Sequence, residues 1–250
     1  MTDILFAQDV DVKLVRHSAN DVDVANAARV STLGDQVLEW SKAFDGQVED
    51  VEHPGQARNR GLINFLMRDR HGSPFEHNSM TFFVQAPIFV AREFMRHRVG
   101  WSYNEESGRY KELRPLFYLP GEDRNLVQVG KPGAYRFEPG TDEQRVNVEH
   151  SLSVIYRAAY SHYQQLLSQG VAREVARMLL PVGLFTTFYA TCNARSLMHF
   201  LSLRTINENA TVPSFPQREI ELVADRMEEL WAERMPLTHA AFNANGRVAP

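Results

Sequence analysis

The sequence contains a single cysteine, Cys192, among its 250 residues. One cysteine excludes a framework of internal disulfides and is typical of the reducing cytoplasm, where we expect this protein to reside. The first nine residues lack a basic segment and an apolar segment, so no signal peptide is predicted. The longest uncharged run, 178–194, is shorter than the roughly 20 apolar residues of a membrane-spanning helix. We therefore predict a globular protein with no membrane partner.

An excess of basic residues is also missing. The chain has 27 Lys and Arg against 31 Asp and Glu, which gives a net charge of -4. This balance argues against a broad nucleic-acid-binding surface, although it permits a local basic pocket. No Gly-x-Ser-x-Gly, Gly-x-x-x-x-Gly-Lys or Gly-x-Gly-x-x-Gly motif is present, so the corresponding hydrolase, nucleotide-phosphate and dinucleotide folds are not indicated.

Aromatic residues are plentiful, with 15 Phe, 8 Tyr and 3 Trp, and they supply the apolar surface of a folded core. Alternation of apolar and polar residues predicts a strand at 10–16, and residues 79–86 are also β-like. We predict one α+β domain over residues 1–250, with a surface loop at 121–142 and a helix-rich C-terminal part. A first helix is predicted to begin after Asn20. Further helices are predicted at 57–70, 87–98, 144–169, 171–180, 183–206 and 216–235.

The densest polar cluster lies at 96–110. Arg96 and Arg98 would point about 200° apart on a helix, so they serve one pocket only if the chain leaves the helix there or two pockets meet. Gly108 permits a close approach of its N–H to an anion, and Ser107 and Arg109 add side-chain donors. This pattern indicates a nucleotide-phosphate site, while a solvated charged loop remains the alternative.

A predicted helix over 193–204 carries two polar stripes. At 100° per residue, Asn193 and Arg204 lie on one side and Arg195 and His199 on the other, with apolar residues between them. Such a helix fits a position between two layers or two subunits, with each stripe facing a ligand. A pair of structural ion-pair sites is the alternative.

Two further groups have weaker functional signals. His71, Glu76 and His77 have the residue types of a metal site, but their spacing matches no usual closed zinc pattern. A metal-dependent hydrolase is therefore a disfavoured alternative, and we predict no metal. Cys192 lies in an apolar run, where burial favours the neutral thiol, so we expect it to be inert.

These motifs together resemble the flavin-dependent thymidylate synthases. The family signature is Arg-His-Arg, followed after about seven residues by Ser within Ser-x-Asn-x-x-Ser-x-Arg-Tyr. This chain has Arg-His-Arg at 96–98 and Ser-Tyr-Asn-Glu-Glu-Ser-Gly-Arg-Tyr at 102–110. Further segments of the resemblance, in the same order along the chain, are 28–31, 74–77, 173–177 and 193–197.

The resemblance implies a central antiparallel sheet flanked by helices, in a homotetramer whose active sites lie at subunit interfaces. It implies that dUMP is converted to dTMP with 5,10-methylenetetrahydrofolate as the one-carbon donor. FAD, reduced by NADPH, would supply the electrons, and tetrahydrofolate would be released. The competing hypothesis is a nucleotide- or RNA-binding module that uses Arg96, His97 and Arg98.

The resemblance also implies the site residues. Those expected to bind the flavin are Ser73, Arg96, His97, Arg98, Glu105, Asn193, Arg195 and His199. Those expected to bind dUMP are Glu93, Arg96, Glu105, Glu106, Ser107, Gly108, Arg109, Arg177 and Arg204. Arg204 is expected to be catalytic, because a guanidinium beside N3 and O2 of uracil stabilises negative charge on the ring.

Three departures from the family pattern stand out. Eight residues separate Arg98 from Ser107, and Trp101 has the character of an insertion. His199 occupies a position where family members often have Asn. The stretch 205–216 is longer than usual, so no contacts are expected to transfer to it.

Overall fold

The computed structural model describes residues 3–42, 54–131 and 134–250. Its centre is a four-stranded sheet in which all neighbouring strands are antiparallel, in the order β2-β3-β8-β4. These strands are β2 (Asp11–His17), β3 (Met80–Pro87), β4 (Trp101–Glu105) and β8 (Phe185–Cys192). The structure confirms the α+β class with a central antiparallel sheet, and it confirms the strands predicted at 10–16 and 79–86.

The prediction of one helix over 183–206 is wrong. Residues 185–192 form β8, a central strand bonded to β3 on one side and β4 on the other. The run Phe-Thr-Thr-Phe-Tyr-Ala-Thr-Cys is rich in β-branched and aromatic residues, which favour strands. A short apolar run of this kind cannot be distinguished from a buried helix by periodicity. Cys192 therefore lies on a strand, not on a helix.

Helices surround this sheet and dominate the C-terminal part. In the described residues they are α1 (Asp21–Leu33), α2 (Gln36–Lys42), α3 (Pro54–Arg68), α4 (Ile88–Phe94), α5 (Asp142–Ser168), α6 (Arg173–Ala176), α7 (Ala194–Arg204), α8 (Arg218–Ala232) and α9 (Pro236–Ala244). Short 3₁₀ turns cover Ser73–Glu76 and Arg177–Leu179. The long helix α5 begins at a capping box, in which Thr141 and Gln144 satisfy each other's backbone N–H groups.

Some predicted boundaries were wrong for identifiable reasons. Helix α4 ends at Phe94 and not near Arg98, because Arg96 and His97 N–H groups bond to Glu93 and Phe94 carbonyls in tighter turns. The helix predicted over 216–235 is confirmed as α8, whereas α9, which begins at Pro236, lies beyond the predicted range and was missed. Proline lacks an N–H group and begins α9 at its first position.

The predicted surface loop at 121–142 is also wrong in part. Strands β6 (Val127–Lys131) and β7 (Ala134–Glu138) pair there in an antiparallel hairpin. A second small sheet joins β1 (Leu5–Ala7) in parallel to β5 (Leu116–Tyr118). The hairpin residues are largely exposed, so their apolar–polar alternation carried little signal of burial.

The main core lies on one face of the central sheet. Buried residues of β3 and β8, among them Phe82, Val84 and Phe188, pack against α4, α7 and α8. Phe94 is central to this packing, with its ring 5.3 Å from Phe188 and 4.6 Å from Phe200. A smaller cluster joins α5 to β5 through stacked aromatic rings. Helices α4 and α7, which carry candidate site residues, are thus held rigidly on the sheet.

The opposite face of the central sheet is not covered by any described part of the chain. Thr81 and Phe83 of β3 point to this face, as do Tyr189 and Thr191 of β8. Tyr189 is 50% exposed and its ring packs edge-on against Phe83. Across the described ranges, no helix has the length and apolar character needed to cross a bilayer.

The position of β8 yields a stability prediction. Phe188→Ala removes a ring that is 2% exposed and should lower the free energy of unfolding by about 3–5 kcal/mol, because it leaves a cavity in the core. Urea unfolding should show a lower midpoint with an unchanged slope. Val146→Ala, at a site 63% exposed on α5, is the control and should change stability by no more than about 0.5 kcal/mol. A loss below about 1 kcal/mol for Phe188→Ala would contradict the central placement of β8.

Candidate active site

The chain leaves helix α4 just before the Arg-His-Arg segment. The Tyr103 hydroxyl donates a hydrogen bond to the His97 carbonyl at 2.7 Å and holds this turn. His97 consequently points toward the core, where its ring lies 4.9 Å from Phe200, while Arg96 and Arg98 are exposed. The end of the helix therefore separates the three side chains into one inward and two outward groups.

His97, Glu93 and Arg204 form a connected group that we call the Arg204 cluster. Arg204 Nε donates to His97 Nε2 at 3.1 Å, and Arg204 Nη1 is paired with Glu93 Oε1. The Arg204 and Glu93 side chains are only 20% and 25% exposed, so solvent screens this pair weakly. Arg204 Nη2 has no partner in the part of the chain that the structure describes. The cluster thus fixes the guanidinium and leaves one nitrogen available to a ligand.

The hydrogen bond from Arg204 defines the protonation of His97. A guanidinium only donates, so His97 Nε2 must accept and the proton of the neutral ring must lie on Nδ1. Burial, then the positive charge of Arg204, then that of His199, lowers the pKa of His97 to about 4. His97 is therefore a neutral hydrogen-bonding group near pH 7.

Residues 105–109 form a turn at the end of β4 that we call the Ser107 loop. The Ser107 carbonyl accepts hydrogen bonds from the N–H groups of Tyr110 and Lys111, which closes the turn. A Cβ added at the buried Gly108 would lie 2.9 Å from Leu113 Cδ1 and 3.2 Å from Arg177 Cδ. Only glycine fits there without displacing a neighbour, and Arg177 lies directly beside the loop.

The two glutamates of the Ser107 loop contact the beginning of β8. Glu105 accepts a hydrogen bond from the Thr186 hydroxyl at 2.7 Å. Glu106 accepts from the Thr187 N–H at 3.0 Å and pairs with Lys111 Nζ at 2.6 Å. Both carboxylates therefore hold the Ser107 loop against the central sheet.

Arginines surround the Ser107 loop. Arg109 pairs with Glu174 at 3.1 Å, both side chains being more than half exposed. Arg177, at the start of a 3₁₀ turn, is exposed, and its guanidinium has no partner among the described residues. The loop thus combines a glycine backbone, a serine hydroxyl and an unpaired arginine, the donors that suit a phosphate group.

The other end of helix α7 forms a second group of site residues. Arg195 Nη1 pairs with Glu76 at 2.6 Å, and Arg195 Nε donates to the main-chain oxygen of Pro250 at 2.6 Å. Gly72 lies against this guanidinium, since a Cβ added there would be 2.6 Å from Arg195 Cζ. Both contacts place Arg195 beside the turn Ser73–Glu76, which begins at the exposed Ser73.

Arg96 and Arg98 contact none of the other candidate residues through their side chains. Both guanidinium groups are exposed and lack a hydrogen-bond or ion-pair partner within the described ranges. Exposed guanidinium groups of this kind suit the phosphates of a dinucleotide cofactor, because each can bind phosphate in a bidentate manner. The donor set of this chain therefore suits a flavin dinucleotide.

The two-stripe description of 193–204 needs a correction. Asn193 is the N-cap of α7, where its side chain accepts a hydrogen bond from the Ser196 N–H at 2.9 Å, so it shares no stripe with Arg204. The second stripe stands: His199 lies one turn after Arg195 and is exposed. Partial burial, followed by the charge of Arg195, lowers the pKa of His199.

The residues of the metal alternative have other partners. His71 stacks on Phe65 with ring centroids 5.6 Å apart, and Glu76 pairs with Arg195. Within the described ranges, no group of three His, Cys, Asp or Glu side chains could hold a metal ion. Cys192 is 3% exposed, and burial raises the pKa of its thiol well above the usual value. The thiol is therefore not a nucleophile in this fold.

Sequence reasoning missed the partners that hold the site residues in place. Glu76 lies 119 positions from Arg195, and Glu174 lies 65 positions from Arg109. It also missed Arg247, a buried arginine whose side chain reaches the residue that follows Arg204. No local pattern marks such pairs. For Arg247, the one available signal was an arginine in the otherwise weakly charged segment 235–250.

The chain is similar to known proteins over almost its whole length. The profile of a family described as "Thymidylate synthase complementing protein" matches residues 13–237. A flavin-dependent thymidylate synthase of Streptomyces avermitilis is 65% identical over 245 residues, which is 98% of this chain and 95% of that protein.

Solved structures agree with this similarity. The UMP/dUMP methylase PolB of Streptomyces cacaoi is 51% identical to this chain. Its structure bound with 5-Br dUMP has a TM-score of 0.88 and covers 99% of this chain and 100% of PolB. Its structure bound with 5-Br UMP has a TM-score of 0.87, with 99% of each chain covered.

The Arg204 cluster yields a prediction about His97. NMR titration should show the His97 ring neutral at pH 6 and protonated only near its pKa of about 4. Because the unfolded chain binds this proton near pH 6.5 and the folded protein resists it, His97 makes stability fall as pH falls from 6.5 to 4. Arg204→Gln should raise the pKa of His97 toward 6.5 without reaching it, since burial remains.

Arg226→Gln is the matched control for this titration. Arg226 is an exposed arginine paired with Glu229 on α8, and its loss should leave the pKa of His97 unchanged. An Arg204→Gln protein in which His97 still titrates near pH 4 would show that Arg204 does not control this ring.

Proposed function

The chain belongs to the flavin-dependent thymidylate synthase family, and we propose that it converts dUMP to dTMP. The relatives carry this substrate class in their names, and the site of this chain supports it. The observation that carries the proposal is the Arg204 cluster, in which His97 and Glu93 orient a partly buried guanidinium while Nη2 has no partner among the described residues. We assign the whole chain, 1–250, to one domain with this activity.

The Ser107 loop and Arg177 would hold the nucleotide phosphate. The loop offers backbone and hydroxyl donors, and Arg177 offers beside Gly108 a guanidinium that is unpaired within the described ranges. The full set of proposed nucleotide-binding residues is Glu93, Arg96, Glu105, Glu106, Ser107, Gly108, Arg109, Arg177 and Arg204. In this assignment Glu93 acts by fixing the orientation of Arg204.

Arg204 would activate the uracil ring. The carbon that accepts the one-carbon unit must become nucleophilic, which places negative charge on the ring oxygens and nitrogen. A fixed guanidinium beside N3 and O2 stabilises that charge as it develops. The alternative, addition of a cysteine thiolate to the ring, is closed to this chain because its only cysteine is buried and neutral.

FAD is the proposed flavin, with Ser73, Arg96, His97, Arg98, Glu105, Asn193, Arg195 and His199 as its binding residues. Reduced by NADPH, it would supply the electrons that turn the methylene group of 5,10-methylenetetrahydrofolate into the methyl group of dTMP, with release of tetrahydrofolate. Arg96 and Arg98 support the assignment, because they are exposed cations with no partner in the described part of the chain. Arg195 is held by Glu76, which orients its guanidinium toward the Ser73 turn.

The activity prediction compares the parent protein with two variants at Arg204. With dUMP, methylenetetrahydrofolate, NADPH and FAD, the parent should form dTMP, and omission of FAD from flavin-free protein should stop the reaction. Arg204→Ala should lower dTMP formation about 100–1000-fold, equivalent to about 3–4 kcal/mol for one well-placed donor. Arg204→Lys should also be strongly impaired, because it keeps the charge but loses the planar fork.

NADPH oxidation by the bound flavin, measured separately, should be retained in both variants, since that half-reaction needs no activated uracil. Arg226→Ala on the exposed face of α8 is the control and should match the parent. UMP is tested beside dUMP, because PolB is described as a UMP/dUMP methylase. If dTMP formation by Arg204→Ala stays within about tenfold of the parent at saturating dUMP, Arg204 does not activate the ring.

We also propose that the active protein is a homotetramer with its sites at subunit interfaces. Among the described residues, the sheet face with Phe83 and Tyr189 is uncovered and Arg96 and Arg98 are unpaired. Both features support this arrangement, since each would gain a partner in an assembly. Light scattering should give four times the chain mass, and Tyr189→Glu should dissociate the assembly and release FAD together. Flavin that stays bound to a monomer would contradict sites shared between subunits.

A further inference from the structure

Residues 246–250 contact both ends of helix α7, which carries Arg195 and Arg204. At the start of the helix, Arg195 Nε donates to the main-chain oxygen of Pro250 at 2.6 Å. At its end, Arg247 Nη2 donates to Thr205 Oγ1 at 2.8 Å. Thr205 directly follows Arg204, so the second contact lies one residue from the guanidinium of the Arg204 cluster.

Arg247 is held in a buried ion pair. Its side chain is 2% exposed, and both terminal nitrogens donate to the Glu228 carboxylate at 2.6 Å. Asn243 accepts a further hydrogen bond at 2.5 Å, and the Phe242 ring lies 4.9 Å from the guanidinium. Burial alone would raise the pKa of Glu228, but its contacts with Arg247 and His239 lower it to about 2. The pair is therefore charged throughout the neutral range.

The backbone at Arg247 is in an unusual conformation. Its φ angle is +55°, a left-handed value that non-glycine residues seldom adopt because of steric repulsion by Cβ. Such a conformation persists only where the surroundings enforce it. Here the Arg247 N–H bonds to the Phe242 carbonyl at 2.9 Å, and the side chain is directed back toward α7.

Thr205 transmits this contact to the helix. Its hydroxyl donates to the Leu201 carbonyl at 2.8 Å while it accepts from Arg247, so one oxygen links the buried guanidinium to the last turn of α7. Thr205 is 4% exposed and extended, with φ −120° and ψ 146°. The main chain at Arg204 is consequently fixed from the C-terminal side, while His97 and Glu93 fix its guanidinium.

We propose that Arg247 is a positioning residue for the nucleotide site, which acts through the Thr205 hydroxyl to set where Arg204 meets the uracil ring. This role rests on the proposed function. Arg247 itself does not touch the substrate, because it is buried behind the helix. Errors of about 1 Å in the position of a reacting group lower rates by about 100-fold, and the loss of one supporting hydrogen bond should have a fraction of that effect.

The test compares two matched threonine variants. Thr205→Val removes the oxygen that accepts from Arg247, and valine adopts the extended backbone of this position readily. Thr238→Val on α9 is the control. It removes another buried hydroxyl, which donates a hydrogen bond to Asp21 at 2.6 Å. In thermal unfolding, the two changes should lower the melting temperature by similar amounts. Thr205→Val should lower kcat for dTMP about tenfold, whereas Thr238→Val should leave the turnover of the folded protein unchanged.

A readout that is independent of turnover is the N3 ionisation of bound 5-fluoro-dUMP, followed by ¹⁹F NMR against pH in the absence of folate. In the parent and in Thr238→Val, Arg204 should lower the pKa of the bound ring below that of the free ligand. In Thr205→Val the pKa should move back toward the free value. Thr205→Ser keeps the hydroxyl and should restore both kcat and the titration.

Arg247→Lys provides a second variant, because it retains a positive charge beside Glu228 but cannot donate to Glu228, Asn243 and Thr205 together. Combined with Thr205→Val it should lower kcat no further, as expected for two residues that act through one contact. An active parent with unchanged kcat and unchanged 5-fluoro-dUMP titration in Thr205→Val would overturn the positioning role alone. A parent that neither binds 5-fluoro-dUMP nor forms dTMP would overturn the proposed function, and this role with it.

Discussion

The junction between strand β8 and helix α7 is the constraint on which the site depends. A single residue, Asn193, separates the central strand from the helix, and its side chain caps the first turn. Because β8 is bonded on both sides and α7 packs on the sheet, the direction of the helix is determined at this residue. Arg195 and Arg204 are nine positions apart on α7, about 14 Å along its axis. The junction therefore places the two candidate binding groups at a set separation.

Charged partners drawn from distant segments hold these arginines in place. Glu76 fixes Arg195, Glu93 fixes Arg204, and the Arg247–Glu228 pair supports the end of α7. Partly buried ion pairs of this kind fix the direction of a side chain but add little to the stability of the fold, because desolvation offsets much of the attraction. Arg96, Arg98 and Arg177 are instead exposed and unpaired within the described chain. The site thus contains oriented cations and available cations, which suits ligands that carry phosphate.

The departures from the family pattern have structural counterparts. Trp101 lies in β4, opposite Cys192, with its ring stacked on Tyr103 at 5.9 Å, so the extra residue is absorbed into the sheet and its core. His199 follows Arg195 by one turn of α7, and its charge, when it is protonated, helps to lower the pKa of His97. The longer stretch 205–216 borders a cavity of about 330 Å³, shared with the β6–β7 hairpin and lined by Phe137 and Phe215.

The sequence by itself determined the α+β class, the helix start at Asn20 and the glycine at 108, because these depend on neighbouring residues and local periodicity. It also identified the Arg-His-Arg segment and the arginines of 193–204 as candidate site residues. It could not assign 185–192 to a strand, since a short apolar run satisfies either structure until its neighbours are known. Only the tertiary structure decided that β8 is central and that Arg204 meets His97 and Glu93. It alone placed Arg247 behind Thr205, because ion pairs and hydrogen bonds between residues 42 to 119 positions apart depend on packing and leave no periodic trace in the sequence.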